Sequence, residues 1–140
     1  MLKPKQVYSL ERVVEKTKDL LFIVEGKKDK KVLFELGIRH ILPISGKSLE
    51  NIAEYIGAEN WKSVVILTDF DRDGKKKAEK LEKLLQSYVL IERATRRFFK
   101  SLKIAKIEEL KGVAKLVNSR SYDKEINKRF FSKRRKRKLR

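Results

Sequence analysis

The chain has 140 residues, of which 41% are hydrophobic and 40% are charged, and its formal net charge is +18. Cysteine is absent and histidine occurs once, which excludes disulfides and the usual zinc sites, and no apolar run approaches the roughly 18 residues of a membrane span. We therefore expect one soluble, cytoplasmic domain whose positive charge attracts polyanions, nucleic acid being the first candidate.

Apolar periodicity predicts helices and strands in alternation. The helical segments carry apolar residues three and four positions apart, whereas the strands are short aliphatic runs. The predicted elements, in chain order, are a helix at Gln6–Lys18, a strand at Leu20–Val24, a helix at Asp29–Leu36, a strand at Ile41–Ile44, a helix at Leu49–Gly57, a strand at Val64–Leu67, a helix at Lys75–Gln86, a strand at Tyr88–Ile91, and helices at Ala94–Leu102 and Ile107–Val117. This order predicts an α/β fold in which a mostly parallel four-stranded sheet lies between helices.

Composition divides the chain into three segments. We predict an N-terminal helix within residues 1–19, a single α/β domain at 20–119 and a basic C-terminal extension at 120–140. The extension holds 11 Lys and Arg against 2 Asp and Glu, which is half of the net charge. Residues 132–140 have no apolar face, so we expect this stretch to be ordered only by a partner that neutralises it. The abundance of charged residues also fits a thermophilic source.

Acidic residues follow two of the predicted strands. Glu25 follows the strand at Leu20–Val24, and Asp69, Asp71 and Asp73 follow the strand at Val64–Leu67. Ligands of parallel sheets collect beyond the carboxyl ends of the strands, and carboxylates are the ligands that Mg²⁺ prefers. An alternative stays open, in which Asp71 and Asp73 only shape a turn and cap the next helix.

The spacing of these carboxylates suits two metal ions. Asp69 and Asp71 lie two residues apart, so both face one side if the strand continues through them. Asp69 would then bridge two Mg²⁺ or Mn²⁺ ions, with Asp71 and Asp73 completing the second site, and such a pair of ions stabilises phosphodiester displacement. Crowding by Asp69 and Asp71 should raise the proton affinity of Glu25, which suits an acid or base.

These motifs resemble the Toprim domain shared by topoisomerases, primases and several nucleases. The first Toprim motif, Glu-Gly with an Asp three residues on, matches Glu25-Gly26 and Asp29; the second, Asp-x-Asp followed by glycine, matches Asp69, Asp71 and Gly74. The glycine loop between them is similar to the segment around Gly46. The resemblance covers about Leu20–Leu110 and also extends to small archaeal Toprim proteins and to the bacterial ribonuclease that matures 5S ribosomal RNA.

The resemblance implies roles for the motif residues. Glu25 would either bind one ion or serve as general acid/base, and Gly26, Asp29, Gly46 and Gly74 would support the site. Asp29 has an equally good alternative, because an acidic residue early in a helix interacts favourably with the helix dipole. The chain leaves no room for the separate tyrosine domain of a topoisomerase or the larger body of a primase, so hydrolysis is the expected reaction.

Two functions follow from the sequence. The first is a Mg²⁺-dependent nuclease or rRNA-processing factor acting on structured RNA, and the second is a non-catalytic protein that binds ribosomal RNA or the ribosome through its basic extension. RNA is favoured over DNA in both. The residues expected to contact nucleic acid are Lys27, Lys28, Lys47, Arg72, Lys133, Arg134, Arg135, Lys136, Arg137, Lys138 and Arg140.

Overall fold

A four-stranded parallel sheet organises the computed structural model, which describes residues 2–119. Its strands are ordered β2-β1-β3-β4, and all three neighbouring pairs are parallel. The elements are α1 (Pro4–Thr17), β1 (Leu21–Val24), α2 (Lys27–Leu36), β2 (His40–Pro43), α3 (Leu49–Ala58), β3 (Ser63–Leu67), α4 (Arg72–Leu85), β4 (Leu90–Ile91), α5 (Ala94–Ser101) and a 3-10 helix (Ile107–Leu110). Residues 111–119 are helical. The predicted α/β class and sheet are confirmed.

The two central strands are buried on both faces. Every residue of β1 is buried, as are the last four of β3, which is what their unbroken aliphatic sequence predicts. The strands pair in a register that sets Val24 opposite Leu67. Glu25 and Thr68 therefore leave the sheet side by side, at its carboxyl edge.

Two apolar cores lie on opposite faces of the sheet. One contains Phe22 and Val65 of the sheet together with buried side chains of α1, α2, α5, the 3-10 helix and residues 111–119. The other contains Ile23 and Ile66 with side chains of α3 and α4. Because neighbouring residues of a strand point to opposite faces, each central strand contributes to both cores.

The clearest departure from the predicted boundaries is the start of α4. The helix begins at Arg72, three residues before the predicted Lys75, because the Asp71 side chain accepts a hydrogen bond from the Gly74 N–H at 2.8 Å and caps it. The strand ends at Leu67 and does not continue to Asp71, so strand alternation does not set the relation between Asp69 and Asp71.

The edge strands are also displaced from prediction. β2 begins and ends one residue earlier than predicted, and β4 is limited to Leu90–Ile91. The chain at Tyr88 and Val89 instead closes the end of α4 through hydrogen bonds to the Leu85 carbonyl. Edge strands such as β2 and β4 are buried less completely than central strands. Their runs of apolar residues are therefore less distinct, and their ends are harder to predict.

The predicted basic extension lies outside the described residues, together with its proposed contacts Lys133, Arg134, Arg135, Lys136, Arg137, Lys138 and Arg140. Within residues 2–119, no helix is both long enough and apolar enough to cross a membrane.

Candidate functional site

Glu25 and Asp69 meet at the carboxyl edge of the central strands. Glu25 follows β1 directly, and Asp69 is the second residue after β3. The Asp69 backbone N–H donates to Oε1 of Glu25 at 3.4 Å. Only 16% of the Glu25 side chain is exposed, so the structure brings two acidic groups together in a partly desolvated position.

Asp69 is surrounded by other acidic side chains. Its pKa is raised to about 6, first by burial and then by the neighbouring carboxylates of Glu25, Asp29 and Asp71; Lys106 opposes this. Like charges this close disfavour the ionised form, and a bound cation relieves the repulsion. The ionised form of Asp69 is therefore favoured only when a positive charge lies close to it.

The loop from β3 to α4 is built around a close backbone approach at Gly74. A Cβ atom at this position would lie 2.0 Å from the carbonyl oxygen of Asp69, so only glycine fits. The Thr68 hydroxyl donates to the Gly74 carbonyl at 2.6 Å. These contacts fix the first turn of α4 against Asp69, while Asp71 acts as the helix cap and Asp73 lies exposed in the first turn.

Asp29 has a positioning role in this structure. It is buried, and its two oxygens accept hydrogen bonds from the Gly26 N–H at 3.2 Å and the Glu108 N–H at 3.0 Å. Burial raises the pKa of Asp29, and both hydrogen bonds oppose the rise. Asp29 thus joins the start of α2, immediately after Glu25-Gly26, to the 3-10 helix.

The glycine loop contacts the site through its backbone. The Ser45 N–H donates to the carbonyl of Glu25 at 2.8 Å, and the next residue, Gly46, has φ +77°, a left-handed conformation that favours glycine. Of the sequence-predicted phosphate contacts, those in the described part are all exposed: Lys27, Lys28, Lys47 and Arg72. None of these four hydrogen-bonds an acidic side chain of the site in the structure.

Lys77 is a site residue that the sequence analysis missed. Its ammonium donates to Oε2 of Glu25 at 2.9 Å. Glu25 raises the pKa of Lys77 by this hydrogen bond, and Asp69 and Asp73 add to the rise. Lys77 lies three residues after Gly74, so the two residues share one face of α4. The sequence predicts this only if the helix is known to begin at Arg72.

Arg96 forms hydrogen bonds with the loop between β3 and α4. Its guanidinium donates to the carbonyls of Ile66 at 3.2 Å, Thr68 at 2.8 Å and Asp69 at 3.2 Å and lies 4.8 Å from the ring centre of Phe70. Burial lowers the pKa of Arg96, whereas Glu25 and Asp69 raise it. The sequence shows only a cluster of arginines in α5 and does not distinguish Arg96 from its neighbours.

The site offers the carboxylate oxygens that a hard cation prefers, but these oxygens do not surround a single point. Among residues 2–119, no three acidic, histidine or cysteine side chains are grouped so that they could hold a metal ion. One oxygen of Asp71 is engaged at the helix cap, and both oxygens of Glu25 accept hydrogen bonds. Mg²⁺ commonly uses one or two carboxylates and fills its remaining positions with water and phosphate oxygens. The carboxylates at this edge therefore fit Mg²⁺ without any other kind of protein ligand.

Comparison with protein families identifies the fold. The Toprim domain profile matches residues 20–107, from the start of β1 to the 3-10 helix. This chain belongs to the Toprim family. The Toprim region contains Glu25, Asp69, Asp71 and Gly74, and family membership indicates a metal-binding function connected with nucleic acids.

Relatives of this chain include UPF0292 proteins of thermophilic archaea. A UPF0292 protein of Pyrococcus furiosus is 34% identical over 118 residues, covering 82% of this chain and 86% of the relative. A UPF0292 protein of Thermococcus gammatolerans is 39% identical over 108 residues, covering 74% and 77%. Among solved structures, a putative protein from Aquifex aeolicus superposes with a TM-score of 0.67 at 30% identity, covering 76% of this chain and 99% of that one.

Proposed function

We propose that this protein is a Mg²⁺-dependent phosphodiesterase that hydrolyses structured RNA, with rRNA or its precursors as substrate and with Mn²⁺ able to replace Mg²⁺. The observation that carries the proposal is the meeting of Glu25 and Asp69 on adjacent strand ends, where the pKa of Asp69 is raised to about 6. A carboxylate whose ionised form is as disfavoured as that of Asp69, in a chain of net charge +18, suits a cation that brings a phosphate with it.

Each carboxylate has a proposed role in hydrolysis. Asp69 would hold the metal at the centre of the site, with Glu25, Asp71 and Asp73 as the other carboxylates available to a pair of ions. When bound, such ions stabilise the attacking and leaving oxygens of the phosphodiester. Glu25 would accept the proton of the attacking water, whose oxygen forms the new bond to phosphorus while the ester oxygen leaves.

Exposed basic side chains support the nucleic-acid partner. Around Arg96, α4 and α5 border a cavity of about 230 Å³ whose charged lining residues also include Arg93, Arg97, Lys100, Glu82 and Glu92. The hydrogen bonds of Arg93 go to Glu82, whereas Arg97 and Lys100 are exposed. Their position next to Arg96 suits phosphate groups of a strand that enters the site. RNA processing of this kind would take place in the cytoplasm.

A second candidate is a non-catalytic protein that binds ribosomal RNA or the ribosome. The observation in its favour is the concentration of charge at 120–140, where 11 Lys and Arg stand against 2 Asp and Glu. In this alternative the Toprim site would recognise phosphate through a bound ion without cleaving it.

Calorimetric titration with Mn²⁺ tests the metal site. Asp69→Asn should weaken Mn²⁺ binding by about tenfold or more, because loss of even an indirect partner of a metal commonly costs tenfold. Glu25→Gln should abolish RNA cleavage and leave RNA affinity nearly unchanged. Equal Mn²⁺ binding by wild type and Asp69→Asn would contradict the site, whereas tight RNA binding without cleavage in either metal would favour the second candidate.

A further inference from the structure

The cation that contacts Glu25 in this structure belongs to the chain itself. Oε2 of Glu25 accepts a hydrogen bond from the Lys77 ammonium at 2.9 Å, and Oε1 accepts one from the Asp69 N–H. Each oxygen of the carboxylate therefore has a donor. The two side chains differ in exposure, 16% for Glu25 and 46% for Lys77, so the lysine approaches from the solvent side.

The geometry of α4 aims Lys77 at the site. Gly74 lies against the Asp69 backbone, where a Cβ atom would be 2.0 Å from the Asp69 carbonyl oxygen. Lys77 follows three residues later in the same helix, so it lies on the face of α4 that carries Gly74. The first turn is anchored by the Thr68 hydroxyl. The position of Lys77 is thus a consequence of how the helix is seated.

The ion pair is suited to exchange. Lys77 lies in the field of Glu25, Asp69 and Asp73, and these carboxylates are also the ones that would attract a divalent ion. Because the lysine of this pair is half-exposed, solvent and salt screen the interaction and it contributes little net stability. A divalent ion carries twice the charge of an ammonium and can displace it.

We propose that Lys77 is an internal counter-cation that competes with the divalent metal ion for Glu25. Lys77 neutralises Glu25 until the ion binds, and it thereby raises the metal concentration at which the site fills. This inference rests on the proposed metal-dependent function and adds a regulating residue to it. Glu25 becomes available as a ligand or as a base only after Lys77 leaves.

Metal affinity, measured on the full chain, tests the competition directly. Lys77→Met removes the ammonium and keeps an unbranched side chain, so the dissociation constant for Mn²⁺ should fall about 2- to 5-fold in a calorimetric titration. Lys77→Arg retains a cation and should stay close to wild type. Lys80→Met is the matched control, because Lys80 lies in the same helix and loses an ion pair of 2.8 Å with Glu50, away from the site; its affinity should not change.

The outcomes separate this inference from the proposed function. Suppose that Asp69→Asn weakens Mn²⁺ binding, while Lys77→Met leaves it unchanged or weakens it. That result would support the metal site and overturn the role of Lys77. An equal gain in Lys77→Met and Lys80→Met would also overturn it, because the gain would then reflect net charge alone. Absence of Mn²⁺ binding in all variants would overturn both. Should Lys77→Met fail to fold, Lys77→Gln answers the same question.

Discussion

At the scale of single residues, Asp69 carries an unfavourable charge that the fold maintains. Burial and three neighbouring carboxylates raise its pKa to about 6. The backbone of the same residue is fixed from two sides, by Gly74 against its carbonyl and by Arg96 donating to it. The protein therefore holds the ionised Asp69 in place at neutral pH at the expense of stability, as functional sites commonly do.

Because the ionised Asp69 side chain destabilises the folded protein, removing its charge should stabilise the protein by an amount that depends on pH. Between an ordinary aspartate pKa of about 4 and the value of about 6 in the fold, the folded protein binds more protons at Asp69 than the unfolded chain. Stability falls as pH rises through this window. In chelator at pH 7.5, Asp69→Asn should raise the free energy of unfolding by about 1–2 kcal/mol after allowing for solvent screening.

Urea denaturation at pH 4.5 and pH 7.5 measures this effect. The difference between Asp69→Asn and wild type should shrink at pH 4.5, where Asp69 is protonated in the folded protein. Taking the difference cancels the titration of carboxyls that do not interact with Asp69. The exposed Asp73 provides the control variant Asp73→Asn. A difference that is independent of pH would contradict the account of Asp69.

At the scale of elements, α5 holds the loop that carries Asp69. Thr95 and Phe99 of this helix are buried, and Arg96 between them donates to carbonyls at the end of β3 and in the loop beyond it. The loop is also joined to the segment that follows α5, because the Phe70 N–H donates to the Ala105 carbonyl at 2.8 Å. The candidate site therefore depends on a helix that follows it in sequence.

Replacing Arg96 should weaken both the fold and the site. Arg96→Met removes the donor shared by the carbonyls of Ile66, Thr68 and Asp69, so the free energy of unfolding should fall by about 1–3 kcal/mol. Mn²⁺ affinity should fall with it, since Asp69 loses its support. The neighbouring Arg97 is exposed, so Arg97→Met should leave both quantities nearly unchanged. Equal behaviour of the two variants in urea denaturation and calorimetry would contradict this role.

The central elements were predictable from sequence because their physical signals are local. Aliphatic runs at β1 and β3 correspond to burial on both faces, and the acidic residues after them fall at one edge once the strands are adjacent. The start of α4 was missed because Asp71 was interpreted first as a metal ligand, whereas in the structure its side chain caps the helix. Lys77 and Arg96 were not recognised because their contacts with Glu25 and Asp69 span 52 and 27 residues of sequence.

At the scale of the whole molecule, positive charge is distributed unevenly. The formal charge is +18, and residues 120–140 supply half of it through 11 Lys and Arg against 2 Asp and Glu. The carboxylates of the candidate site form an acidic centre within an otherwise basic protein. Such an arrangement draws a polyanion to the surface over long distance, whereas a cation is needed to bring its phosphate to the acidic centre.

Deleting residues 120–140 should separate these two contributions. Each phosphate neutralised on a single strand adds about 0.7 to the slope of log affinity against log salt concentration. The truncation removes 11 basic side chains, and if roughly half of them engage at once, the slope should flatten by about 3 to 5 units. RNA affinity at several salt concentrations, for the full and truncated chains, gives this number.

The truncated protein should keep its fold and its metal site, because both cores and the site at Glu25 and Asp69 are formed within residues 2–119. Its melting temperature and its Mn²⁺ affinity should therefore stay near those of the full chain. An unchanged salt slope would mean that the domain alone holds the RNA, through groups such as Arg97 and Lys100. A truncated chain that fails to fold would mean that apolar residues of the removed segment, such as Phe130 and Phe131, are needed for stability.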